Sequence, residues 1–181
     1  MLGVTGLLAH AKNAVVVGPK QCCAWLAQAV PVPVAHCHDA HALVLEHNDG
    51  WKLVYSGDTQ PCARLAAAAS GATLLIHEAT FEPDLVDQAR KKRHSTSAEA
   101  LETSRASGAF RTVLTHFSQR YPGVPGGLPT TGGLHEVPIV AFDGTRVRFG
   151  DLPALPLTTP LIAAALDSTA AREKAVDGVE A

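Results

Sequence analysis

Three histidines and an aspartate fall within six consecutive positions, His36-Cys37-His38-Asp39-Ala40-His41. Imidazole and carboxylate are both ordinary ligands of Zn²⁺, and the run looks like the metal-binding signature HxHxDH with two letters exchanged. In that signature the first two histidines serve one ion and the aspartate and last histidine serve a second, so spacing decides which side chains converge. Asp39 comes one place too early. Other candidates stand at the ends of apolar runs: His36 ends Val-Pro-Val-Ala, Asp58 follows Leu-Val-Tyr-Ser-Gly, His77 and Glu78 end Leu-Leu-Ile, and His116 ends Val-Leu-Thr. A lone histidine at a strand end is more often satisfied by a backbone carbonyl. Four strand ends of this kind favour a shared metal or phosphate site, because open α/β sheets collect ligands beyond the carboxyl ends of their strands.

The elements that would position these groups alternate between strand-length apolar runs and helical stretches, which predicts an α/β domain. The sequence predicts strands at Asn13–Gly18 and Val32–His36, separated by a helix over Gln21–Ala29. Asn48-Asp49-Gly50 is a turn signal that makes Ala42–His47 and Trp51–Ser56 a hairpin. A helix over Pro61–Ser70 ends at Gly71, a strand follows at Ala72–His77, and a short helix spans Asp84–Arg93. Thr96 and Glu99 fit a capping box for a helix over Ser97–Ser107, stopped by Gly108. Thr112–Thr115 is another strand, Tyr121–Gly133 a Gly- and Pro-rich loop, and Val137–Phe142 with Arg146–Phe149 a final hairpin. From about Ala164 the chain is alanine-rich and charged, which reads as a frayed helix or tail.

Length and composition fit one globular domain: 181 residues, 46% of them apolar, with a formal net charge of −2. That charge gives no global attraction for nucleic acid or an anionic membrane, so an RNA partner would be held by local positive groups. Cysteines at positions 22, 23, 37 and 62 form neither a CxxC pair nor a disulfide framework, which points to a reducing compartment. With Met1 taken as the start, no signal peptide is seen, and no apolar run reaches the roughly 20 residues needed to span a bilayer. A soluble chain without a membrane partner is expected.

From Met1 to about Leu166 the chain resembles the C-terminal half of ribonuclease Z (tRNase Z), the tRNA 3′-end endonuclease of the metallo-β-lactamase superfamily. The likeness is carried by His36, Gly50-Trp-Lys-Leu-Val-Tyr-Ser-Gly-Asp-Thr59, Ile76-His-Glu-Ala-Thr80, His94-Ser-Thr96 and His116-Phe-Ser-Gln-Arg-Tyr121. The ending Val140-Ala-Phe-Asp-Gly … Phe149-Gly-Asp-Leu-Pro is similar to the eukaryotic long form. SGDT alone is a superfamily-wide feature, whereas HEAT, HST and HFSQRY in this order are specific. The resemblance implies the C-terminal half of an αββα sandwich, with residues 1–165 a partial domain and 166–181 a tail. It implies a site with two Zn²⁺ ions, in which Asp58 bridges, His36 serves one ion and His116 the other. Asp58 lies 22 residues beyond His36 and His116 lies 58 beyond Asp58, spacings like the family's.

By the same resemblance, His94, oriented by Glu78, is the proton donor for the departing 3′-oxygen, and precursor tRNA is the substrate. The bland reading of Glu78 and His94 is that they cap loops. Ser95, Thr96, Ser118 and Arg120 are candidate substrate contacts. Arg90-Lys-Lys-Arg93 could grip phosphates, but reads slightly better as a solvated helix end, where cations suit the helix dipole. His38, Asp39, His41 and His47 inherit no role.

The family's own HxHxDH leads into a helix of the kind xxGxxxLL, and this chain opens Met1-Leu-Gly3-Val-Thr-Gly6-Leu-Leu8. The expectation is a chain that begins immediately after the signature, missing four of seven family ligands, inactive alone, and paired as a homodimer or with the absent N-terminal half. Rival readings are another metallo-β-lactamase-fold hydrolase of a small ester or thioester, and a catalytically dead half that only binds. The family's long forms work in nucleus and mitochondrion, so those compartments or the cytoplasm are implied.

Overall fold

The computed structural model describes residues 28–119 and 124–177. Among them, six strands form one mixed sheet in sequence order: β1 (Gln28–Pro33), β2 (His41–Glu46), β3 (Lys52–Tyr55), β4 (Leu74–Glu78), β5 (Arg111–Thr115) and β6 (Ile139–Val140). β1, β2 and β3 run antiparallel, whereas β3 to β6 run parallel. β1 therefore points the same way as β3, and the carboxyl ends of β1, β3, β4 and β5 all emerge at one edge. That edge receives His36, Asp58, Glu78 and His116. The α/β class follows from this sheet and its crossover helices.

The crossovers carry α1 (Ala63–Ala68), α2 (Val86–Lys92), which a 3₁₀ turn at Pro83–Leu85 leads into, and α3 (Ser97–Ser107). Adjacent strand residues face opposite sides of a sheet, and burial follows that rule. Val44, Val54 and Leu75 pack with Leu65 of α1, and Leu114 and Val140 pack with Ala100 and Leu101 of α3. On the other face Leu74, Val113 and Ile139 are covered by Leu152 and its neighbours Val147, Phe149 and Leu155. The Arg111 guanidinium fastens this cover by donating to the carbonyls of Leu152 at 2.8 Å and Pro153 at 3.2 Å. α4 (Thr158–Asp177) follows and runs across position 165.

Two sequence expectations are corrected. Gln28 and Ala29 belong to β1, not to a helix; among the described residues β1 is an edge strand, where Pro31 and Pro33 are tolerated because a missing N–H costs no ladder bond to β2. The final hairpin does not form: Ile139–Val140 pairs in parallel with β5, and Val147 and Phe149 are drawn under the sheet by burial instead of pairing back. The turn between them exists, closed by Thr145 N–H donating to Phe142 O at 3.0 Å. The strand at Asn13–Gly18 and most of the helix at Gln21–Ala29 lie outside the described residues. The capping box at Thr96 and Glu99 and the left-handed Gly108 stop of α3 are present as read.

Candidate active site

Asp58 reaches the sheet edge through a turn that only glycine fits well. Gly57 has φ +60°, and a Cβ there would lie 2.9 Å from the His41 carbonyl oxygen. The next residue, Thr59, locks the loop: its hydroxyl accepts from Ala35 N–H at 3.1 Å, drawing the His36 segment and the Asp58 segment together. Asp58 then stands between two imidazoles, its Oδ2 4.0 Å from His36 Nε2 and its Oδ1 3.7 Å from His116 Nδ1. Both separations exceed hydrogen-bonding range. The three side chains are partly open, at 24% for His36, 38% for Asp58 and 50% for His116.

His36 is held by Arg93. Its Nδ1 lies 2.7 Å from the Arg93 carbonyl oxygen, and Arg93 Nη1 donates back to the His36 carbonyl at 2.7 Å. A carbonyl only accepts, so Nδ1 carries the proton and Nε2 presents a lone pair toward Asp58. Arg93 achieves this from a left-handed backbone at φ 59°, which ends α2 and turns the chain into His94. His116 is likewise left-handed, at φ 63°. Backbone hydrogen bonds on both sides bracket it, with Ala79 N–H on Thr115 O at 2.9 Å and Ser118 N–H on Thr80 O at 3.3 Å. Such strain in a non-glycine residue, about 1–2 kcal/mol each, persists where the surroundings over-determine the backbone.

Beside this group lies a nearly sealed carboxylate. The Glu78 side chain is 2% exposed and that of His94 14%, and His94 Nδ1 lies 2.8 Å from Glu78 Oε1. Glu78 Oε1 also accepts from Thr59 N–H at 2.8 Å, and Oε2 accepts from the Thr80 hydroxyl at 2.7 Å and Thr80 N–H at 3.2 Å. Every one of these contacts is a donor facing a carboxylate. His94 thus bears its proton on Nδ1 and keeps a lone pair on Nε2. The ring centroids of His36 and His116 lie 4.8 Å and 5.4 Å from that of His94. Ligand-capable atoms of His36, Asp58 and His94, and of Glu78, His94 and His116, cluster within 4.8 Å of one another. This donor set of imidazoles and carboxylates suits a borderline-soft divalent cation such as Zn²⁺.

Two neighbours, the buried His77 and the half-buried Tyr55, are shifted first of all by desolvation. Burial pushes the His77 imidazole down from its ordinary range, against the Glu78 carbonyl and charge, which pull it up. Its Nδ1 meets the Glu78 carbonyl at 2.6 Å. Burial also raises the Tyr55 phenol, helped by the negative charges of Asp58 and Glu78. Tyr55 lines a cleft of about 620 Å³ with His116, Phe117, Ser118 and Phe142.

The structure brings together His36, Asp58, Glu78, His94 and His116. Ser95 and Thr96 lie behind this group: both are fully buried, Ser95 Oγ donating to Thr59 O at 2.7 Å and Thr96 capping α3. Ser118 lines the cleft, and Arg120 lies outside the described residues. His38 is exposed, and His41 Nδ1 lies 2.8 Å from the Asp39 carbonyl, so only the first histidine of the opening run reaches the site. Sequence reasoning gave no role to Thr59 or Thr80, although both stand inside the SGDT and HEAT stretches, and it read Arg93 only as a surface cation.

A mixed sheet that gathers histidines and carboxylates at the carboxyl edge of its parallel strands fits the metallo-β-lactamase fold that the sequence resemblance implies. Known proteins narrow this. No family model matches the chain. It is 43% identical over 141 residues to "tRNAse Z TRZ4, mitochondrial" of Arabidopsis thaliana, covering 72% of this chain and 15% of that protein. It is 46% identical over 127 residues to "Zinc phosphodiesterase ELAC protein 2" of Homo sapiens, covering 70% and 15%. Among solved structures, a long-form RNase Z from yeast superposes with a TM-score of 0.69 at 30% identity, covering 83% of this chain and 21% of that one. The chain belongs to the ribonuclease Z family, and spans about 15% of the length of the curated relatives it matches. No helix among the described residues is long and apolar enough to cross a membrane.

Proposed function

We propose that this chain supplies part of the active site of a zinc-dependent endoribonuclease that removes 3′ trailers from precursor tRNA. The observation that carries the reading is the Asp58 carboxylate, which stands between His36 and His116 with one oxygen toward each, beside the Glu78–His94 pair. His36, Asp58 and His116 would hold two zinc ions, with Asp58 shared. Zinc, when bound, supplies Lewis-acid stabilisation of charge on the phosphoryl oxygens.

The chain's own residues handle the leaving group. Water adds to phosphorus, keeping one hydrogen on the new phosphate oxygen and releasing the other as a proton; the bond from phosphorus to the tRNA 3′-oxygen breaks with its electron pair on that oxygen, which takes up a proton to leave as a hydroxyl. His94 gives it from Nε2, while Glu78, hydrogen-bonded to Nδ1, holds the ring in place. Ser118 and Arg120 are assigned to the neighbourhood of the scissile phosphate. Residues 1–165 are assigned to the catalytic domain and 166–181 to a tail. The compartment is one that holds precursor tRNA; the Arabidopsis relatives are named as mitochondrial.

The test is cleavage of a precursor tRNA carrying a 3′ trailer. It is run with the chain alone and with the chain supplied with a polypeptide bearing a relative's HxHxDH segment. Cleavage leaving a 3′-hydroxyl is expected in the second arrangement, reduced roughly 10²–10⁴-fold by His94→Ala. Failure of both arrangements, or cleavage indifferent to Asp58→Ala, overturns the reading.

A further inference from the structure

The Thr80 hydroxyl lies among three ionisable side chains. It is 2.7 Å from Glu78 Oε2, 2.8 Å from His116 Nδ1 and 3.3 Å from His94 Nδ1. A hydroxyl has one proton to give and lone pairs to receive, so the protons can be assigned. Glu78 offers only acceptors here, since its other contacts are the Thr59 and Thr80 N–H groups and the His94 Nδ1–H. The Thr80 proton therefore points at Oε2. Were it turned to His116 instead, two bare oxygens would face each other at 2.7 Å. With the hydroxyl proton committed, the 2.8 Å contact to His116 needs its proton from the ring. Asp58 does not compete for it, because its Oδ1 is 3.7 Å away.

We infer that Thr80 is a positioning residue that fixes His116 as its Nδ1–H tautomer, so that Nε2 is the nitrogen offered to a metal ion, and that it ties this ligand to the Glu78–His94 pair. The Arg93 carbonyl does the same for His36. A ligating histidine commonly donates its second ring N–H in this way, which sets both tautomer and ring orientation, and losing such a partner typically costs 10–100-fold in metal affinity. The two arrangements differ in one respect. His36 is held by a backbone group that no substitution removes, whereas His116 is held by a side chain that also touches the proton-donating pair. One hydroxyl thus joins the metal ligand to the proton donor through a chain of hydrogen bonds.

The inference rests on reading His116 as a ligand, but its first test needs neither metal nor RNA. Long-range ¹H–¹⁵N correlation of the histidine rings in the metal-free chain at pH 8 reports which nitrogen carries the proton. Nδ1–H is expected for His116 in the wild type, a shift toward Nε2–H in Thr80→Val, and the wild-type pattern in Thr80→Ser. An Nε2–H ring in the wild type overturns the inference whether or not Thr80→Val folds, as does an unchanged tautomer in a folded Thr80→Val. Zinc titration then asks for a 10–100-fold weaker site in Thr80→Val, rescued in Thr80→Ser. Equal affinities in all three chains overturn the ligand-positioning half and leave the zinc reading itself intact.

Discussion

Replacing Glu78 by glutamine changes one oxygen into an NH₂ in a place where only donors converge. Oε1 faces Thr59 N–H and His94 Nδ1–H, while Oε2 faces the Thr80 hydroxyl and Thr80 N–H. The amide settles with its NH₂ on the Oε2 side, because there the Thr80 hydroxyl can rotate to accept from the amide and give its own proton to His116. Thr80 N–H at 3.2 Å then loses its acceptor, and the bonds to Thr59 and His94 lose their charge assistance. An unpaired buried donor costs about 1–3 kcal/mol and charge assistance adds roughly 1 kcal/mol, so the variant should unfold about 2–4 kcal/mol more readily. For a chain of this size that is a fall in Tm of roughly 5–15 °C. Urea denaturation of Glu78→Gln against wild type measures it, with histidine ¹⁵N spectra alongside. The same rotation should turn His116 toward its Nε2–H tautomer while His94 keeps Nδ1–H. A loss below about 0.5 kcal/mol, the level of an ordinary surface substitution, would refute the donor count on which the reasoning depends.

Gly57→Ala and Gly108→Ala share a left-handed backbone near +60°, but only the former meets an atom, the His41 carbonyl oxygen at 2.9 Å. Gly108→Ala should therefore cost about 1 kcal/mol from conformation alone, and Gly57→Ala measurably more; equal midpoints in urea would contradict this. His77 is buried and its imidazole held below its ordinary range, so below about pH 6.5 the unfolded chain binds the proton more readily. Stability should fall on acidification by up to about 1.4 kcal/mol per pH unit until the folded value is reached, and should gain nothing above the unfolded value. His77→Asn should flatten that slope between pH 6.5 and 5.5, and a wild-type slope of opposite sign would count against it. His36, Asp58 and His116 give each of two ions two protein donors, fewer than the three usual at catalytic zinc. The 181-residue chain alone should hold zinc weakly, and two tightly bound equivalents surviving dialysis against a chelator would contradict this.

Sequence by itself determined the strand-end placement of His36, Asp58, Glu78 and His116, because apolar runs that end in a polar residue show where a buried strand meets solvent. It also determined the α3 cap, whose Thr96–Glu99 reciprocity is local and needs no tertiary partner. Family motifs then separated His36 from the more conspicuous histidines beside it, and the geometry leaves those at the surface. Contacts between segments far apart in sequence were not legible. Arg93 reads as one of four surface cations, yet its carbonyl orients His36 across 57 positions. Ser95 and Thr96 read as polar residues in a specific motif, and only packing shows them sealed inside. Arg146–Phe149 has strand composition, but the open face beneath the sheet, not the turn before it, decides where Val147 and Phe149 go. A hydroxyl such as Thr80 carries no periodic or spacing signal at all. Its part depends on which three ionisable groups the folded chain brings within reach of one proton, and that is a property of the sheet edge that no single segment holds.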